Sequence, residues 1–348
     1  MSRGFIMLDV EGLELTSADR SLLLSQNVGG VILFSRNYES PEQIFNLINE
    51  IRLLKSPSLL IAVDHEGGRV QRFRDGFTQI PSMRYIGHLY DQNQIAAFEL
   101  AFFTGWIIGA ELRAVGVDLC FGPCVDLDWG SSAIIGDRSF HRDKKVVEQL
   151  SYKFTRGLKK AGMQAVAKHF PGHGFVVNDS HEQLPIDRRD FSDLLDDIYP
   201  YEGLIRKGAI SAVMMSHIVY EQTDLMPASI SEYWINDHLR QQLKFDGTVF
   251  CDDLSMKALS AYGNLSKRAR LALKAGCDMV IMCNDREGTQ EAVKLLQNNH
   301  NYPSMLRLAR LRGKKSISRE QLLVSEDWIA ATNHLNDYLQ QSNFELSG

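Results

Sequence analysis

Met163-Gln-Ala-Val-Ala-Lys-His-Phe-Pro-Gly-His-Gly-Phe-Val-Val-Asn-Asp-Ser-His181 opens as an apolar run and closes as a loop crowded with titratable groups. Met163–Ala167 reads as a short buried strand. Beyond it Pro171, Gly172 and Gly174 forbid a helix, so Lys168, His169, His173, Asp179 and His181 fall on a loop that leaves the strand. A loop so loaded, leaving a buried strand, is where chemistry is usually found.

The pattern recurs along the chain. Seven further β-rich runs are Gly4–Leu8, Val28–Phe34, Leu59–Val63, Val117–Leu127, Ile210–Met215, Thr248–Cys251 and Met279–Cys283. Helical patterns lie between them, opening at Thr16 or Ser17 and spanning Pro41–Leu54, Asn93–Val115, Lys145–Ala161 and Ser231–Leu243. Gly116, Gly162, Gly208 and Gly276 each stop a helix just before the next strand. Alternating strands and helices imply parallel strands joined by right-handed crossovers. Eight such units over about 280 residues predict an α/β fold of the (β/α)8 TIM-barrel type, with some irregularity allowed. A doubly wound open sheet is the alternative, but no Gly-x-Gly-x-x-Gly follows the first strand. The stretch 301–348 is polar, with helical spacing at Leu306, Leu308 and Leu311, and is expected to form helices packed outside the barrel. The expectation is therefore one catalytic domain over 1–348, with the barrel over about 1–300.

Composition narrows the function. With 44% hydrophobic and 23% charged residues the chain is ordinary globular protein. A net charge of −5 and the lack of a basic block argue against a nucleic-acid partner. The N-terminus has no signal-peptide apolar region and reaches an acid at Asp9. The most apolar helix candidate, Ile95–Ala110, is interrupted by Glu99 and reads as too short to span a bilayer. No membrane partner is expected, and the location expected is cytoplasmic. Cys120, Cys124, Cys251, Cys277 and Cys283 are odd in number and lie in apolar runs, so they read as reduced core residues.

In a TIM barrel the active site lies where the strands end. Those ends carry Asp64 and Glu66, Asp126 and Asp128, Lys168 and His169, His217, Asp252 and Asp253, and Asn284. Polar groups thus finish six of the eight predicted strands at one edge. A metal centre fits poorly. His169 and His173 are four apart, but Phe-Pro-Gly breaks the helix that a zinc pair needs, and Asp9-Val-Glu11 stands where barrel metallohydrolases carry His-x-His. Phosphate fits poorly too, because the last two loops begin with acids at Asp252 and Asp285.

Glycoside cleavage fits better, since it needs a carboxylate below the anomeric carbon and a proton donor at the leaving oxygen. Asp252 ends the seventh strand and is the candidate for the first role, while Asp253 is expected to cap the following helix at Ser255. Asp179 and His181 are two apart, so in an extended segment both project to one side. A carboxylate beside an imidazole favours its charged form and places the donor near neutral pH.

Four segments occur in order: Asp64-His-Glu-Gly-Gly-Arg-Val-Gln-Arg72, Gly136-Asp-Arg-Ser-Phe140, Lys168-His-Phe-Pro-Gly-His-Gly174 with Asp179-Ser-His181, and Asp252-Asp-Leu-Ser-Met256. Together they resemble glycoside hydrolase family 3, in particular its single-domain bacterial β-N-acetylhexosaminidases of peptidoglycan recycling. The resemblance covers roughly residues 1–300. It implies a retaining double displacement with Asp252 as nucleophile, His181 as acid then base, and Asp179 orienting His181. It further implies that Asp64, Arg72, Arg138, Lys168 and His169 bind the terminal N-acetylglucosamine, with Gly67 and Gly68 allowing close backbone approach at the pocket floor. The implied substrates are N-acetylglucosamine–anhydro-N-acetylmuramyl peptides, handled by a monomer without metal or other cofactor. The chain departs from the family pattern at His65, commonly Gln, and at Cys251, commonly Ser or Thr, where altered tuning is expected rather than lost activity. The alternatives are a catalytically silent sugar-binding barrel and a metal-dependent hydrolase.

Overall fold

A computed structural model of the chain describes residues 4–177, 183–296, 301–314 and 317–342. Eight parallel strands close into a barrel in chain order: β1 Ile6–Leu8, β2 Val28–Leu33, β3 Leu60–Val63, β4 Leu119–Cys120, β5 Gln164–Phe170, β6 Ala212–Met215, β7 Thr248–Asp253 and β8 Met279–Met282. Closure comes from β8 pairing with β1, Ile6 opposite Val280 and Leu8 opposite Met282. Each predicted run supplies one strand, so the (β/α)8 expectation holds.

The strands read as unbroken apolar runs because both faces are buried. Side chains alternate: Met7, Ile32, Ala62, Leu119, Val166, Met214, Phe250 and Ile281 fill the barrel interior. Their neighbours Ile6, Val31, Ile61, Ala165, Val213, Val249 and Val280 meet the surrounding helices. Inside, Phe121 and Phe250 pack edge to face with ring centres 5.3 Å apart.

Helix boundaries follow local chemistry. Thr16 and Asp19 form a reciprocal capping box at Ser17–Leu23, and Ser40 caps Pro41–Leu53 with proline in its first turn. Gly276 ends Leu265–Ala275 at φ +114, where a side chain would be strained.

Three expectations are corrected. The fourth strand was drawn to Leu127, but its regular pairing covers only Leu119–Cys120. Pro123 has no N–H to give the ladder, and pairing with β5 resumes irregularly through Val125 N–H to Lys168 O at 2.9 Å. The helix read over Asn93–Val115 runs over Gln94–Ala114, but it is long and apolar enough to cross a membrane, where its apolar part was expected to be too short. Most of its surface is buried inside the protein, against Met83–Gln92, Lys144–Lys160 and Glu326–Ser342. Finally, the segment after 300 does more than pack outside. Tyr302–Ala309 leads to Leu311, which is fully buried in the interior cluster with Leu308 beside it. Arg113 fastens this segment by donating to Lys314 O at 3.1 and 2.6 Å.

Leu311→Ala is expected to cost about 2–5 kcal/mol by leaving a cavity in the barrel floor. The exposed Leu306→Ala should stay within about 0.5 kcal/mol. Urea unfolding midpoints of the two variants measure the contrast.

Candidate active site

The C-terminal ends of the strands surround a cavity of about 430 Å³. Asp64, Arg72, Arg138, Lys168, His169 and Asp252, all singled out from sequence, line it together. Its inner wall is the barrel interior itself, through Ile32, Phe121, Met214 and Ile281. Asp179 and His181 lie outside the described residues.

Asp64 follows β3, and Glu66 sits on a short antiparallel ribbon of His65–Gly67 with Val70–Gln71 that also delivers Arg72. Lys168 and His169 project from the end of β5, and Arg138 from the turn Gly136–Arg138. Lys168 Nζ lies 2.8 Å from Asp64 Oδ1 and 2.6 Å from Glu66 Oε1. Arg138 forks onto Glu66 at 2.9 and 2.8 Å, a geometry that its planar guanidinium matches. Arg72 Nη2 is 3.6 Å from Asp64 Oδ2. Burial disfavours the charged forms of Glu66, Lys168 and Arg138, but opposite partners win. Arg138 and Lys168 hold the Glu66 carboxyl far below its ordinary range, while Asp64 and Glu66 hold the Lys168 ammonium charged.

Asp252 and Asp253 are adjacent on β7 and shifted in opposite directions. Burial alone would raise Asp252, yet His217, His169, the Asp253 N–H and Lys168 together bring it below the ordinary value. Asp253 is pushed up to about 6, with burial as the main cause. Its oxygens accept from Ser255 N–H at 3.0 Å, Ser255 Oγ at 2.7 Å and Cys283 N–H at 3.1 Å, so it holds the turn at Ser255 where a helix cap was expected, ahead of the 3-10 helix Lys257–Tyr262.

The other strand ends divide. His217 is fully buried and places Nε2 2.9 Å from Asp253 O and Nδ1 2.7 Å from Ser229 Oγ. Asn284 lines the cavity. Asp128 accepts the Gly130 N–H at 3.0 Å, an ordinary turn contact. Asp126 stands behind His169, its Oδ2 2.8 Å from Nδ1. Sequence reasoning left Glu66 and Asp126 out of the binding set. Both were visible as strand-end acids, but nothing in the sequence told which cation or imidazole each would face.

The departures from the family pattern sit in the core. His65 is 1% exposed, with ring centres of Phe73 and Phe77 at 5.9 and 5.7 Å. Burial, with Arg74 and Arg72 nearby, lowers its pKa to about 3. Cys251 is also fully buried, and its sulfur accepts the Ile281 N–H at 3.4 Å. The expected close approach at Gly67 exists, but not at the pocket floor. Gly67 has φ +109, and a Cβ there would come 2.5 Å from Pro81 O.

Among the described residues, Cys124, Asp126 and His169 are the group that could offer three metal-ligand atoms, all within 4.8 Å. The three already form a hydrogen-bonded cluster, with the Cys124 thiol 3.2 Å from Asp126 Oδ2. Burial pushes that thiol well above its ordinary range, away from the thiolate that a metal takes.

Comparison with known proteins places these observations. Residues 5–310 match the glycosyl hydrolase family 3 N-terminal domain. The chain is 48% identical over 336 residues to a beta-hexosaminidase of Thioalkalivibrio sulfidiphilus, covering 97% of this chain and 96% of that one. It is 49% identical over 314 residues to a beta-hexosaminidase of Methylobacillus flagellatus, covering 90% of each. Among solved structures it resembles NagZ from Neisseria gonorrhoeae in complex with N-trifluoroacetyl-D-glucosamine, with TM-score 0.91 and 40% identity over 97% of this chain and 98% of that one. A family 3 β-N-acetylglucosaminidase from Paenibacillus is similar with TM-score 0.85 and 30% identity, covering 96% of this chain and 67% of that one.

The carboxyl shifts set the acid limit of stability. Glu66 and Asp126 both ionise more readily folded than unfolded, Asp126 at about 2 against an ordinary 3.8. Their contribution is complete above the unfolded values and disappears as pH falls through the folded ones. Asp253, raised to about 6, works in the opposite sense and loses its contribution as pH rises from about 4 to 6. Urea midpoints measured from pH 8 to pH 2 should therefore fall steeply below about pH 4, and a midpoint that rises there would contradict the assignment.

Proposed function

The chain belongs to glycosyl hydrolase family 3 and is a glycoside hydrolase, and on that footing we propose that it is a retaining, exo-acting β-N-acetylglucosaminidase. Its substrates are muropeptide fragments, N-acetylglucosamine–anhydro-N-acetylmuramyl peptides, met in the cytoplasm during peptidoglycan recycling. The chain acts as a single-domain monomer. The observation that carries the reading is the single cavity that Asp252, favoured as an anion, lines together with Asp64, Arg72, Arg138, Lys168 and His169. A solved relative at 40% identity was crystallised with an N-acylated glucosamine, which supports the choice of sugar.

The cradle serves binding. Its cations donate to sugar hydroxyls and its carboxylates accept from them, so a single terminal residue can be gripped on one side. Asp252 attacks the anomeric carbon from the other side. As the C1–Oδ bond forms, the glycosidic C1–O bond breaks and the leaving oxygen takes a proton from His181, which Asp179 orients. Water then gives its proton back to His181 as its oxygen joins C1 and the bond to Asp252 breaks. The low pKa of Asp252 suits the first step, because only the carboxylate is nucleophilic.

Two experiments test this. Mass spectrometry of protein trapped with a slowed N-acetylglucosaminide fluoride should locate the label on Asp252, and Asp252→Asn should abolish turnover. Label on another residue removes the proposed nucleophile. His181→Ala should cost about 10²–10⁴-fold on a sugar leaving group and less on a nitrophenyl one. Equal losses on both, with glycosylation shown to be rate-limiting, would end the donor role.

A further inference from the structure

The His169 ring is held between two neighbours that dictate where its hydrogen sits. On one side Nδ1 lies 2.8 Å from Asp126 Oδ2. That carboxylate is fully buried and also accepts the backbone N–H groups of His169 at 3.2 Å and His173 at 2.7 Å. An ionised carboxylate only accepts, so Nδ1 carries the hydrogen. On the other side Nε2 lies 3.4 Å from Arg138 Nη2. A guanidinium only donates, so Nε2 is bare. The two constraints come from different segments and agree. Burial would raise the Asp126 carboxyl, but His169 and His173 outweigh it and bring it down to about 2, which keeps the acceptor ionised.

We infer that Asp126 is a positioning residue that locks His169 in the Nδ1–H tautomer, so that Nε2 faces the cavity as an acceptor for a substrate hydroxyl. This rests on the sugar-binding reading above and adds to it. Lys168 and Arg138 can only donate, and Asp64 and Glu66 accept as anions that also hold cations. His169 Nε2 adds to that wall an acceptor that carries no charge. Its 3.4 Å contact with Arg138 is longer than an ordinary hydrogen bond, which leaves the lone pair for a closer donor. Which nitrogen of an imidazole is protonated follows from what the other one meets.

The test is ¹⁵N NMR of the full chain labelled at histidine, with the His169 signals identified by their loss in His169→Gln. Wild type should show Nδ1 protonated and Nε2 bare. A protonated Nε2 in wild type overturns the inference without reference to any variant. In Asp126→Asn the side-chain amide can present N–H to Nδ1, so the tautomer should switch to Nε2–H. Loss of the substrate hydrogen bond should then lower kcat/KM on a chromogenic β-N-acetylglucosaminide about tenfold, chiefly through KM. An Asn variant that loses activity while keeping the wild-type tautomer would make Asp126 merely structural. Should the Asn variant not fold, the wild-type spectrum still decides. Should wild type fail to cleave the glycoside, the proposed function fails while the tautomer remains measurable.

Discussion

The Lys168 ammonium, 2% exposed and clasped by Asp64 and Glu66, is the contact on which the cavity depends. It ties β5 to the end of β3 and to the ribbon beyond, and through Glu66 it reaches Arg138 on a third loop. Taking such charges out of water is costly, and a hydrophobic replacement would often be more stable. Under the proposed function the cluster makes sense as a binding surface bought with stability. Dipoles and charges fixed before the substrate arrives need no rearrangement when it does.

Asp252 and Asp253 show the same economy at the scale of one peptide bond. Neighbours on a strand point to opposite sides. Both carboxyls are buried, but nearby His217, His169 and Lys168 favour Asp252 as an anion, while Asp253 sits among neutral hydrogen-bond donors that do not offset its burial. Identical side chains thus acquire different proton affinities from environment alone. His217, bonded to the Asp253 carbonyl, steadies the peptide that leads on to Leu254.

The barrel was legible because eight runs buried on both faces leave an apolar signature with glycine stops between helix and strand. Where the reading faltered, a local element contradicted the global one. Pro123 interrupts the fourth strand, and Pro200 sits within the helix Phe191–Arg206, which the periodic reading passed over. The site residues were legible as chemistry at strand ends and, through the four ordered motifs, as a resemblance. Glu66 and Asp126 were visible there too, but their roles were not, because an acid is assigned by what it touches. Their partners Arg138 and His169 are 72 and 43 positions away in the chain.

Leu311 gives the molecule a direction. With that side chain corking the far end and Ile32, Phe121, Met214 and Ile281 packed across the middle, the barrel is a cup rather than a pipe. A polymer cannot be threaded through a cup. Whatever enters must do so tip first, and the released monosaccharide must back out through the same mouth before the next tip can come in. Under the proposed function, traffic at that rim rather than sliding along a strand of polymer governs successive cuts.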